Sequence, residues 1–254
     1  MKAMTFAYSI FCYAFFFGVF LYMIGFLNGF IVPKGINDGV EMENIPALLI
    51  NVLLIAVFSV QHSVMARPSF KAWWTKIIGK AAERSTYVLF SSLALVLLFW
   101  QWQPMTTTIW DVQNESLRYV ILGIHGLGWT ILFLSTFMIN HFDLFGLKQA
   151  YEHLIGKRPA ESSFTVRYFY QLVRHPIMLG FLIAFWATPT MTMGHLLFTG
   201  VCTCYIYVAV HFFEEKDLKA EFGTDYRLYQ AQVPMLIPFT KIKRKLKVRF
   251  SRGS

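Results

Sequence analysis

The chain has 254 residues and a net charge of +9, with 15% charged and 56% hydrophobic residues; its mean hydropathy is +0.49. That balance excludes a soluble domain of average makeup and points to an integral membrane protein. It also removes the need for nucleic acid to explain the positive charge, because a basic tail beside an anionic leaflet accounts for it.

A helix needs about 20 apolar residues to cross a hydrocarbon core of about 30 Å. Residues 3–32, 45–66, 85–103 and 119–140 contain no Asp, Glu, Lys or Arg, which predicts four spans. Lys2 precedes an apolar run longer than the roughly 7 to 15 residues of a secretory signal, so the first helix is expected to be retained. The run 176–213 is also uncharged, but Thr188-Pro189-Thr190 and Gly194 interrupt it and mark a turn. The expected fold is all-α, a helical membrane bundle of six spans whose last two form a tight hairpin, followed by amphipathic helices. Five spans with a re-entrant segment at 177–187 is the alternative. With no repeat and no Gly/Ser linker, a single domain over 1–254 is expected, its four-helix part at 1–140 and a C-terminal part at 141–254.

Orientation follows from the basic residues. Arg67, Lys71, Lys76, Lys80 and Arg84 lie between the second and third spans; Lys148, Lys157, Arg158, Arg167 and Arg174 lie between the fourth and fifth. Ten Lys or Arg follow Glu214, Lys241, Lys243, Arg244, Lys245, Lys247 and Arg249 among them. These segments and both termini are expected in the cytoplasm. Cys12, Cys202 and Cys204 sit in apolar runs without metal-site spacing, so neither a disulfide nor a metal site is expected.

Polar residues cluster where that topology puts the cytoplasmic ends of the helices: Gln61-His62-Ser63, Asn140-His141-Phe142-Asp143, Arg174-His175 before Pro176, and His211 with Glu214-Glu215. Each has a purely structural explanation: interhelical hydrogen bonds, helix termination, a snorkelling anchor, or a solvated Glu215–Lys219 pair. Four such clusters at one membrane face argue instead for a polar cavity inside the bundle. Beyond them, His211, Glu215, Leu218 and Phe222 are spaced along one helical face. Gly223 suits a helix end, and Tyr226 and Tyr229 fall on a second short helix stopped by Pro234.

Arg174-His175-Pro176 with Gly180, then Glu214-Glu215, Leu218, Phe222-Gly223, Tyr226, Tyr229, Val233-Pro234 and Ile237-Pro238, resemble the C-terminal signature of the isoprenylcysteine carboxyl methyltransferase-like membrane enzymes. The resemblance covers roughly 170–239, with Met178 standing where that family usually has tyrosine. Gln61 to Pro68 and Asn140 to Leu147 resemble the bacterial branch that methylates methanethiol to dimethyl sulfide. The resemblance implies S-adenosylmethionine as methyl donor, bound by the C-terminal region at the cytoplasmic face of a bacterial inner membrane.

On that reading Glu214 and Glu215 take the cofactor's ammonium by charge-assisted hydrogen bonds. The stretch Tyr170, Leu172, Val173, His175 and Pro176 supplies backbone donors and a wall for adenine, and Tyr229 completes the site. No G-x-G-x-x-G stretch is present, which argues against a soluble Rossmann-type enzyme. Methyl transfer to sulfur is faster from a thiolate, so a base near neutrality is useful. His141, held by Asp143 or Asn140, is the first candidate and His62 the second; Arg174 or Arg67 would act by lowering the thiol's pKa. The expected partners are a small thiol and the lipid bilayer, with neither nucleic acid nor an obligate protein partner. A prenylcysteine or other lipid acceptor, an NADPH-dependent membrane reductase, and a haem-binding or assembly protein using His62, His141, His175 or His211 remain as alternatives.

Overall fold

The computed structural model describes residues 1–157 and 164–241; Arg158 and the basic run at 243–249 lie outside the described residues. In chain order the helices are α1 (Lys2–Asn28), α2 (Asn44–Met65), α3 (Pro68–Ile78), α4 (Lys80–Gln101), α5 (Glu115–Ile139), α6 (His141–Leu144), α7 (Leu147–Ile155), α8 (Pro176–Trp186), α9 (Met193–Val208) and α10 (Glu215–Gln232). A 3-10 turn, Tyr168–Gln171, precedes α8, and a π-helical segment, Ala209–Glu214, joins α9 to α10. α1, α2, α4, α5 and the continuous helix Met193–Gln232 are each long and apolar enough to cross a membrane, and α8 is a shorter apolar helix. The expected helical membrane bundle is present.

One short β pair departs from the all-helical expectation. β1 (Thr108–Asp111) runs antiparallel to β2 (Thr190–Thr192), where the sequence predicts a turn at 188–190 and no strand. Threonines favour extended backbone, but the partner strand lies far along the chain, so nothing local announces the pairing. Thr190 Oγ1 donates to Asp111 Oδ1 at 2.7 Å and fixes the register.

Contacts divide the chain into two units. The first comprises Met1–Asp111, Phe142–Ala160 and Thr190–Cys202, and in it α4 packs against α1, α2, α3 and α7. Some buried polar groups in these apolar helices pair across the bundle. Ser85 donates to Ser9 at 2.8 Å, and the fully buried Asn51 both gives to and takes from the Gln103 backbone, at 2.8 and 2.9 Å. Gly146, at φ 88, sits so close to α4 that a Cβ would lie 2.6 Å from the Ser85 nitrogen. Glycine is dictated there by both backbone conformation and space.

The second unit comprises Val112–His141, Glu161–Pro189 and Thr203–Ser254, and α5 against α8 is its main packing. The two helices touch through backbone at Gly128 and Gly180: a Cβ on Gly128 would meet the Ala184 nitrogen at 2.6 Å, and one on Gly180 the Gly128 oxygen at 2.7 Å. Small residues at a crossing allow this approach where lipid gives no hydrophobic drive. His125 ties the same helices together. Its Nε2 accepts from Trp129 Nε1–H at 2.8 Å, so its proton sits on Nδ1 and goes to the Ala184 carbonyl at 2.8 Å.

Pro176 occupies the first turn of α8, where its missing N–H costs nothing. Further along this unit, Gly223 breaks the helix as the sequence predicts, with φ 54 and ψ −120. Beyond it Tyr226, Tyr229 and Val233 are buried against Phe164, Val166, Leu218 and Phe222. The face expected to carry His211 with Glu215 is not formed. His211 is exposed while Glu215 is buried, because the intervening π turn, with its i→i+5 bonds, rotates one relative to the other.

Candidate active site

Within the second unit a charged network is buried at the entrance to α8. Arg174 and His175 follow the 3-10 turn, and their N–H groups donate to the Pro234 and Met235 carbonyls at 2.9 and 3.2 Å. This short backbone pairing aims both side chains at the start of α10. There Glu215, 2% exposed, collects donors from two sides of the chain. Its Oε1 receives Arg174 Nε at 2.7 Å, His175 Nε2 at 2.8 Å and the Tyr226 hydroxyl at 2.9 Å. Its Oε2 receives the Gln230 amide. The carboxylate pairs with Arg174 rather than with Lys219.

Glu214 is placed differently. Its side chain is 46% exposed and its Oε2 lies 3.3 Å from His175 Nδ1. His175 therefore bridges two carboxylates through its two nitrogens, one buried and committed, the other open. Burial alone would lower the His175 pKa, but hydrogen bonds and charge from Glu214 and then Glu215 outweigh it and raise it to about 9. Imidazolium is the form this site holds at neutral pH. Because the folded value lies above the unfolded one, this contribution to stability is complete below pH about 6.5 and is lost as pH rises through about 9. Thermal unfolding of the detergent-purified protein should show that loss between these limits, and His175→Gln should flatten it; an equally steep decline in the variant would assign the effect elsewhere.

Arg174 is largely spent on structure. Nη1 donates to the Val233 carbonyl and, at 3.3 Å, to that of Gln230, while Nη2 makes no hydrogen bond among the described residues. Gln232 Nε2 is a buried donor also lacking a partner there. Tyr229 gives its hydroxyl to the Tyr170 carbonyl at 2.5 Å, and the Tyr170 hydroxyl reaches the Ser135 carbonyl at 3.5 Å. Burial, with help from Glu214 and Tyr229, holds the Tyr170 phenol well above its ordinary pKa, so it stays a neutral donor.

The stretch before α8 corrects one expectation. The N–H groups of Tyr170, Leu172, Val173, Arg174 and His175 all donate within the chain, so backbone donors are not what it offers a ligand. Val173 and Pro176 are buried and Leu172 is exposed; the segment's contribution is its side chains.

His141 belongs to the same unit. It follows the end of α5, is 3% exposed, stacks on Phe137 with ring centroids 4.1 Å apart and planes 5° apart, and places Nδ1 2.7 Å from Thr136 Oγ1. Burial lowers its pKa. Asn140 is the extended residue between α5 and α6. Asp143 is assigned to the first unit, 3.9 Å from the Lys148 ammonium. His62 and Arg67 are also in the first unit. The Tyr87 hydroxyl lies 2.8 Å from His62 Nε2, and the Ser91 hydroxyl 3.1 Å from Nδ1; Arg67 Nε donates to the Ser63 carbonyl at 3.2 Å. Sequence reasoning did not single out Thr136, Gln230 or Gln232. An uncharged side chain in or beside an apolar helix carries no signal until its partner is known.

Comparison with known proteins places the chain. The family model described as NnrU protein matches residues 50–233. The chain belongs to the NnrU family. Over 94% of its length this NnrU-family chain is 51% identical to Methanethiol S-methyltransferase 1 of Bradyrhizobium diazoefficiens, covering 84% of that protein. It is 50% identical to the Methanethiol S-methyltransferase of Crocosphaera subtropica, covering 91% of each. With the Methanethiol S-methyltransferase of Mycobacterium tuberculosis it shares 48% identity over 94% of this chain and 97% of the relative. No solved structure matches it.

Proposed function

We propose that this chain is a multi-pass membrane methyltransferase that methylates methanethiol to dimethyl sulfide with S-adenosylmethionine as donor. The observation that carries the reading is identity near 50%, over more than nine-tenths of the chain, to proteins named for that activity. The excess of Lys and Arg between the second and third and the fourth and fifth apolar runs, and after Glu214, supports an orientation with both termini, and the site, facing the cytoplasm of a bacterial inner membrane.

The donor set suits the methyl donor. Its ammonium requires a carboxylate, and Glu214 is the one left open after Glu215 is saturated. Its carboxylate requires donors, and Gln232 Nε2 is a buried donor without a partner among the described residues. When bound, S-adenosylmethionine supplies a methyl group made electrophilic by a sulfonium. The protein's part is to bind, orient and deprotonate the thiol, and His141 is the residue proposed to take the thiol proton.

Glu214→Ala should weaken S-adenosylmethionine binding by about 10- to 100-fold in calorimetry, as expected for one charge-assisted hydrogen bond, with a smaller loss of thermal stability than Glu215→Ala because only the half-exposed His175 contact is lost. Wild-type affinity in that variant would remove Glu214 from the site.

A further inference from the structure

We infer that the first unit holds one zwitterionic glycerophospholipid, with an acyl chain in a groove between α1 and α4 and its phosphate on the ammonium of Lys34. The groove belongs wholly to that unit. Ala14, Gly18 and Tyr22, each one turn from the next, line it from α1, and Val96 and Trp100, also one turn apart, line it from α4. Its volume is about 570 Å³, within the range of roughly 300 to 1,000 Å³ that small-molecule sites occupy. A Cβ built on Gly18 would meet nothing within 4 Å, so the missing side chain leaves open space rather than a close helix contact.

The extent of the groove matches one leaflet. Ala14 lies near the middle of the 27-residue α1, and a rise of about 1.5 Å per residue puts Tyr22 roughly 12 Å further along. Half of a hydrocarbon core of about 30 Å is about 15 Å. An apolar groove on two spanning helices, running from mid-membrane to the surface away from the N-terminus, is bathed by acyl chains. A chain alone would gain little there, since lipid tails are as apolar as the walls. Preference for one lipid has to come from the polar end.

That end carries a charge. Lys34, in the loop after α1, gives two of its three N–H groups to the Trp100 and Trp102 carbonyls, both at 2.8 Å, where α4 finishes. The third N–H makes no hydrogen bond among the described residues. The Tyr22 hydroxyl donates to the Lys34 carbonyl at 3.1 Å, and the Tyr22 ring stacks on Phe99 at 5.3 Å between centroids, which fastens the loop at the groove's mouth. Lys34 is the only Lys or Arg in 29–51, 95–111 and 190–202, whereas Asp38, Glu41 and Glu43 share its loop, and the Asp38 charge acts on the ammonium. A headgroup of net negative charge would meet those carboxylates. A zwitterion brings the phosphate that suits Lys34 together with an ammonium that suits the acids.

Native mass spectrometry tests this directly. The full chain in detergent, titrated with palmitoyl-oleoyl phosphatidylethanolamine, should appear as a monomer carrying one lipid. Palmitoyl-oleoyl glycerol, the same chains without phosphate, should bind about 10- to 100-fold more weakly, the usual effect of losing one charge-assisted hydrogen bond. Lys34→Gln keeps donors for the α4 carbonyls but not the charge, and should reduce the phospholipid to the level of the diacylglycerol. Gly18→Leu fills the open space and should abolish the adduct, with an unchanged unfolding temperature in lipid-free detergent. Equal binding of phospholipid and diacylglycerol by the wild-type chain would overturn the inference, as would an adduct that persists in Gly18→Leu. Tighter binding of palmitoyl-oleoyl phosphatidylglycerol, or a dimer of the chain in place of the lipid adduct, would overturn it as well.

Discussion

Glu215→Ala should yield protein that is poorly folded in detergent and has no measurable affinity for S-adenosylmethionine. The carboxylate is buried at 2% exposure and holds Arg174, His175, Tyr226 and Gln230 together. Removing one partner of a buried ion pair leaves the other charge desolvated and uncompensated, which costs about 3 to 5 kcal/mol. Here two cations lose their partner, and His175 keeps only Glu214. Glu215→Gln retains the shape and two of the polar contacts but not the charge, so it should fall between wild type and alanine in thermal stability. The neighbouring Glu214→Ala should cost much less stability, through its half-exposed contact with His175, while weakening the ligand. Equal thermal destabilisation by the two alanine variants would refute the division of labour drawn between adjacent carboxylates.

His141→Ala should lower turnover by about 10²- to 10⁴-fold, the usual contribution of a positioned acid or base, while S-adenosylmethionine still binds. A small thiol is mostly protonated near neutral pH, and its thiolate is the nucleophile. Raising the pH supplies thiolate without the base, so the deficit should narrow as the thiol's own pKa is approached. Burial lowers the His141 pKa, which keeps the wild-type ring neutral and able to accept down to mildly acidic pH. A constant deficit at every pH would mean that the imidazole orients the acceptor rather than deprotonating it.

The parts of this molecule written in local sequence were legible and the parts made by tertiary contact were not. Uncharged apolar runs gave the long helices because hydrocarbon admits little else. Pro176 announced the start of α8 and Gly223 the kink in α10, each through a conformational property of its own backbone. The charged residues of the site were also conspicuous, since Arg174, His175, Glu214 and Glu215 are costly beside lipid. Their division of roles was hidden. Two glutamates adjacent in sequence look alike, and it is the π turn ending at Glu214 that leads one carboxylate into the network and leaves the other open. π turns have no compositional mark. Thr136 was hidden for a related reason: a threonine in an apolar helix usually bonds back to its own turn, as this one does to Phe133, and its second bond depends on where His141 lands. The β1–β2 pair similarly exists only once distant segments meet.

The central claim is most directly tested by headspace gas chromatography of the purified protein incubated with S-adenosylmethionine and methanethiol, beside a boiled control. The account predicts dimethyl sulfide that requires both reagents and falls sharply in His141→Ala. Folded protein that binds S-adenosylmethionine and consumes methanethiol to give no dimethyl sulfide, or gives none at all, would contradict it.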